Sequence, residues 1–112
     1  MPAAAPARAV LYRRVSTNDQ GLGLAAQREP LAAEAGRRGW VAEWVTDEGV
    51  GGSIDAADRP ALGPAMEYLR QGDVLAVARL DRLSRSLHDL AGLIRRSRWG
   101  AGRWCAWTPS WT

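Results

Sequence analysis

Apolar positions along this chain come in two patterns, short continuous runs and one-sided spacings of three and four. That alternation is expected where buried strands are interleaved with amphipathic helices. Within Arg8 to Arg14, the run Ala9 to Tyr12 reads as a buried strand, and the polar stretch Ser16 to Gly21 that follows reads as a loop. From Leu24 to Arg38, Leu24, Leu31 and Ala35, with Ala25 and Ala32 beside them, recur at helical spacing, and Gly39 stands where a helix would stop. Pro30 lies inside this segment, so the helix is expected to kink or begin near it.

Trp40 to Thr46 is a second strand candidate, with Trp40 and Trp44 facing one side as core residues. The segment Asp47 to Ser53 is too rich in glycine to hold one conformation without a partner. Asp58-Arg59-Pro60 opens the next helix, Asp58 near the N-cap and Pro60 in the first turn, and Leu62, Met66 and Leu69 carry it to Gln71-Gly72. Asp73 to Ala78 is a continuous apolar strand buried on both faces. A last helix is expected from about Leu83 to Arg96, with Leu87, Leu90, Leu93 and Ile94 on one side. This order predicts an α/β domain of three layers around a mainly parallel central sheet.

In such sheets the working site lies off the carboxyl ends of the strands. Two polar clusters far apart in sequence would meet there: Tyr12-Arg13-Arg14-Val15-Ser16-Thr17, with Gln20 beyond, and Arg79-Leu80-Asp81-Arg82-Leu83-Ser84-Arg85-Ser86. A phosphoryl-transfer centre needs a nucleophile, cationic donors for the non-bridging oxygens and a proton donor for the leaving oxygen. Ser16 supplies the first, Arg14, Arg82 and Arg85 the second, and Asp81 or an arginine the third. His88, the only histidine, lies further along the last helix and is expected to be a surface residue, as are Arg95, Arg96 and Arg98 at its solvated end.

The chain has 112 residues, 46% of them hydrophobic, and a net charge of +3. That is enough for one domain with a modest core. All fifteen basic residues are arginine. The codon usage of a GC-rich genome accounts for that bias as a whole, although arginine also suits bidentate phosphate recognition. No apolar run approaches the ~20 residues of a membrane span. Cys105 is the only cysteine, which excludes an internal disulfide and a zinc cluster and makes a cytoplasmic location the default. Asp47, Glu48 and Asp55 sit in the loop and Asp81 among arginines, so a metal-dependent nuclease is disfavoured.

YRRVST at 12–17 and RLDRLSRS at 79–86 resemble the two signature motifs of the serine site-specific recombinases, the resolvase/invertase family. DEGVGGSIDAADR at 47–59, followed by Pro60-Ala61-Leu62, is similar to that family's mobile loop and helix start. The resemblance implies a resolvase-like catalytic domain over 9–98, preceded by a loose tail at 1–8. It implies cofactor-free, metal-free cleavage and rejoining of DNA through a 5′-phosphoserine at Ser16. Arg14, Arg82 and Arg85 would bind the scissile phosphate, and Asp81 would position the site or move a proton. Arg59 would reach the same phosphate, with Tyr12 and Gln20 in support; Gly51 stands near a position where many relatives carry serine. The implied partners are DNA and further copies of the chain in a dimer or tetramer, with no membrane and no small-molecule cofactor.

Residues 99–112 depart from the family, since four of the six tryptophans fall there without either periodicity. Two expectations fit them: an aberrant tail translated out of frame, or a genuine Trp-bearing tail that packs on the domain or a partner. If Arg103 and the codons after it end in G or C, a reading one base earlier turns Arg103-Trp104-Cys105 into Val-Val-Arg and Leu-Asp follows, close to the strand relatives have. The domain is then incomplete at its C-terminus and lacks the dimerising helix. An inactive remnant, or a non-catalytic module that pairs with an intact recombinase, is the alternative expectation.

Overall fold

The computed structural model describes residues 7–17, 23–83 and 105–109. Four strands form one parallel sheet: β1 (Arg8–Val15), β2 (Val41–Glu48), β3 (Val74–Val77) and β4 (Cys105–Trp107), in the order β2-β1-β3-β4. Helices α1 (Leu24–Arg38) and α2 (Leu62–Glu67) and the single turn α3 (Leu80–Leu83) complete the described elements, with a 3-10 turn at Ala56–Asp58. The last helix expected from Leu83 to Arg96 and most of 99–112 lie outside the described residues.

The apolar runs become central strands because both of their faces are covered. Alternate residues of β1 enter two cores: Val10 and Tyr12 pack with Leu62, Leu69, Leu75, Val77 and Leu83, while Ala9 and Leu11 pack with Leu31, Ala35, Val74 and Ala76. Trp40, Trp44 and Trp107 close the second core from its rim. Among the described residues no helix is long and apolar enough to cross a membrane.

Helix α1 spans the Leu24–Arg38 expected from its spacing and runs through Pro30 without starting there. The proline frees the carbonyl of Ala26, which is solvent-exposed and can bond to water. At its far end Gly39 adopts φ 69°, and Trp40 donates to the carbonyl of Ala35, a left-handed stop that glycine tolerates. The second helix does not open at Asp58-Arg59-Pro60. The chain makes the 3-10 turn first, and α2 starts at Leu62 because the Asp47 carboxylate accepts the N–H groups of Ala61 (2.8 Å) and Leu62 (3.1 Å). Asp47 and Glu48 accordingly close β2 and are not part of the flexible loop.

Cys105–Trp107, from the stretch without periodicity, pairs in parallel with Val74–Ala76, and Trp107 meets Trp40 edge-on at 6.1 Å. Three residues are too few to show a strand period; their partner strand and the Trp pair identify them.

The 3-10 turn and α2 approach so closely that a Cβ on Gly63 would lie 2.5 Å from the carbonyl oxygen of Ala57. Gly63→Ala is expected to destabilise the fold by about 1–3 kcal/mol, read as a lower urea midpoint at unchanged slope.

Candidate active site

The parallel pairing of β1 with β2 and β3 carries Arg14, the loop after β2 and the turn α3 to one edge of the sheet. Arg14 is 5% exposed, and its guanidinium donates to three carbonyls: Val50 (2.7 Å), Arg82 (3.3 Å) and Asp81 (3.4 Å). Arg59, 2% exposed, donates to Arg82 (2.7 Å), Ile54 (3.0 Å) and Gly52 (3.4 Å). The carbonyl of Arg82 thus receives both guanidinium groups, and the Arg82 side chain is itself buried.

Beneath them Tyr12 donates its phenol to Asp47 at 2.8 Å, and Arg59 approaches the same phenol oxygen at 3.5 Å. Burial first, and the bond to Asp47 second, push the Tyr12 phenol well above its ordinary value, with Arg59 opposing. Tyr12 therefore stays neutral and keeps its proton for Asp47. That carboxylate has three donors in all, two of them at the start of α2, so it is committed to structure.

Among the described residues this cluster therefore contains three buried arginines, Arg14, Arg59 and Arg82, and one buried carboxylate, Asp47. Asp81, also at this edge, has a side chain 53% exposed and lies 3.3 Å from Arg79 and 3.8 Å from Arg82. Arginine keeps its charge even when buried. A buried excess of positive charge costs free energy that a bound anion relieves, and planar guanidinium forks match phosphate oxygens.

Ser16 directly follows the last residue of β1 and is partly exposed at this edge. The strand end is fixed from two sides. Val50 donates to the carbonyl of Val15, and the Gln27 amide bonds both to the N–H of Arg14 (3.1 Å) and to its carbonyl (3.0 Å). Tyr12, Arg14, Arg59, Asp81 and Arg82 lie together at this edge, with Ser16 at the same end of β1. Gln20, Arg85 and His88 lie outside the described residues.

Sequence reasoning missed Asp47 and Gln27. Gln27 carried a readable signal, being a polar residue on the stripe shared with Leu31, Glu34 and Ala35, all buried in α1. It also missed Gly52, where a Cβ would stand 3.1 Å from a terminal nitrogen of Arg14, so a side chain there would press on that guanidinium. Among the described residues no group of three or more His, Cys, Asp or Glu side chains could hold a metal ion.

The model for the resolvase N-terminal domain matches residues 9–98. The chain is 40% identical over 83 residues to the DNA-invertase hin of Salmonella typhimurium, covering 74% of this chain and 38% of that protein. It is 40% identical over 87 residues to the serine recombinase gin of Escherichia phage Mu, covering 78% and 40%. It is also similar in structure to the N-terminal catalytic domain of TP901-1 integrase, with a TM-score of 0.65 and 29% identity over 80% of this chain and 69% of that one. The chain spans about two-fifths of the length of these two curated relatives.

The raised Tyr12 phenol has a pH consequence. Above pH ~10 the unfolded chain ionises this tyrosine while the folded chain does not, so its contribution is complete below that pH and is lost as pH rises further. Tyr12→Phe is expected to cost about 0.5–1.5 kcal/mol at neutral pH and to flatten the alkaline fall in stability, measured by denaturant melts from pH 7 to 11.

Proposed function

The chain belongs to the serine recombinases, through their resolvase N-terminal domain, and on that footing we propose that it carries a DNA strand-cleaving centre with Ser16 as nucleophile. The Ser16 oxygen attacks the phosphorus of a backbone phosphodiester. The bond to the 3′ oxygen breaks, leaving the 5′ phosphate on serine and a free 3′ hydroxyl. The serine proton passes to water or to the Asp81 carboxylate as the new bond forms, and the departing oxygen takes a proton back from Asp81 or from an arginine of the cluster. Attack by a 3′ hydroxyl on the phosphoserine reverses these steps and rejoins DNA. Energy is conserved in the phosphoserine ester, so the cycle needs no cofactor.

The observation that carries this reading is the buried cluster of Arg14, Arg59 and Arg82 at the end of the strand that leads into Ser16. Their charge is fixed, and carbonyls hold the planes of Arg14 and Arg59, a preorganisation that would stabilise a phosphorane-like transition state. Arg85 would add a fourth donor and Gln20 a polar support. In this reading the site serves site-specific recombination of DNA by a dimer or tetramer.

A second reading draws on the same contacts. Carbonyls satisfy many donors of Arg14 and Arg59, so both arginines also serve as clips between the loop and α3. A chain in which they act only as clips is a recombinase remnant, or a module that pairs with an intact recombinase.

A nicked suicide duplex separates the two. The chain is expected to form a covalent adduct whose mass places the DNA on Ser16, with none from Ser16→Ala. Arg82→Gln is expected to slow adduct formation by about 10²–10³-fold. A folded chain that never forms the adduct supports the remnant.

A further inference from the structure

On the opposite face of β1 from the guanidinium cluster, two more arginines gather on a single indole. The guanidinium of Arg28, from the exposed side of α1, lies 4.4 Å from the centre of the Trp44 ring, and that of Arg13, the neighbour of Arg14 on β1, lies 5.0 Å from it. The two cations are therefore within about 10 Å of each other, about one Debye length at 0.1 M salt, and their repulsion is only partly screened.

Neither arginine is neutralised by a carboxylate among the described residues. Arg13 donates one terminal nitrogen to Thr46 at 3.0 Å, and its Nε is buried without an acceptor. Arg28 makes no ion pair or hydrogen bond there. The contrast on the same helix is Glu34, which binds both Arg37 and Arg38. A cation–π contact at an exposed position returns only about 0.5–1 kcal/mol, and it uses the guanidinium faces while leaving N–H edges for an anion.

The position of this stack gives the anion's identity. Gln27, the residue before Arg28, is clamped to both backbone groups of Arg14, so the stack is fixed beside the carboxyl end of β1 where Ser16 stands. We propose that Arg13, Arg28 and Trp44 form a second phosphate-binding contact, which holds the DNA backbone next to the phosphate attacked by Ser16. The DNA strand crosses the carboxyl edge of the sheet, one phosphate on the buried arginines of the α2 side and a neighbouring one on the stack of the α1 side. This proposal rests on the DNA-cleavage reading and adds a contact that sets affinity rather than chemistry.

The test is the salt dependence of binding between the full chain and a labelled nicked duplex, compared with Arg28→Gln and with Arg28→Lys. Arg28 is exposed and makes no hydrogen bond among the described residues, so its replacement is expected to leave the fold intact, as circular dichroism would verify. Arg28→Gln is expected to lower affinity roughly 5- to 10-fold at 0.1 M salt and to reduce the slope of log affinity against log salt by about one. Adduct formation at Ser16 under saturating DNA should remain at the wild-type level, and Arg28→Lys should retain the slope. Unchanged affinity and slope in Arg28→Gln, from a chain that binds duplex and forms the adduct, would overturn this contact while leaving the cleavage reading in place. Loss of self-association in that variant, with DNA binding unaltered, would also overturn it and assign the stack to a protein contact. A wild-type chain without salt-dependent duplex affinity would overturn both readings together.

Discussion

The carbonyl of Arg82 accepts a hydrogen bond from Arg14 on β1 and another from Arg59 beyond the 3-10 turn. Three segments distant in sequence are tied at that one oxygen. The tie forms only if β1 and β3 lie side by side and parallel, which brings the start of α3 back over the end of β1. Other contacts at the edge follow from it. The loop carbonyls of Val50, Gly52 and Ile54 find guanidinium donors already fixed in place, and Gly52 leaves the room for them.

Beneath this tie the buried acid is committed to structure. Asp47 is the carboxylate within reach of the cluster, yet it spends its lone pairs on the phenol of Tyr12 and on the first N–H groups of α2. It positions the layer below without pairing with the guanidinium groups through a direct bond. Tyr12, kept neutral by burial, is the insulating piece between acid and base.

Much of this was legible in the sequence because the determinants are local. The run Ala9 to Tyr12 and the run Asp73 to Ala78 identify central strands by their uniform apolarity, and the topological rule then puts Arg14 and Arg82 at one edge. The family resemblance pointed to Ser16 and Arg59. What escaped was decided by contacts between segments. Asp47 could not be recognised as the cap of α2, since its partners at Ala61 and Leu62 become neighbours only after β2 pairs with β1. The start of α2 was misread for the same reason: Asp58 and Pro60 form a good local signal, but a distant carboxylate outweighs it. The strand Cys105–Trp107 is too short to carry a period and is defined by the edge of β3.

The central claim is that this edge holds an anion through buried, preorganised arginines, and ligand-linked stability tests it most directly. Unfolding temperatures would be measured for the wild type and Arg59→Gln with and without a short nicked duplex, at constant ionic strength. At tenfold excess over Kd, bound DNA should add about 1.4 kcal/mol and raise the wild-type midpoint by several degrees. The account predicts that this increment, taken within each protein, largely disappears in Arg59→Gln. An equal increment in both proteins would contradict it, because the DNA would then be held without the buried cluster.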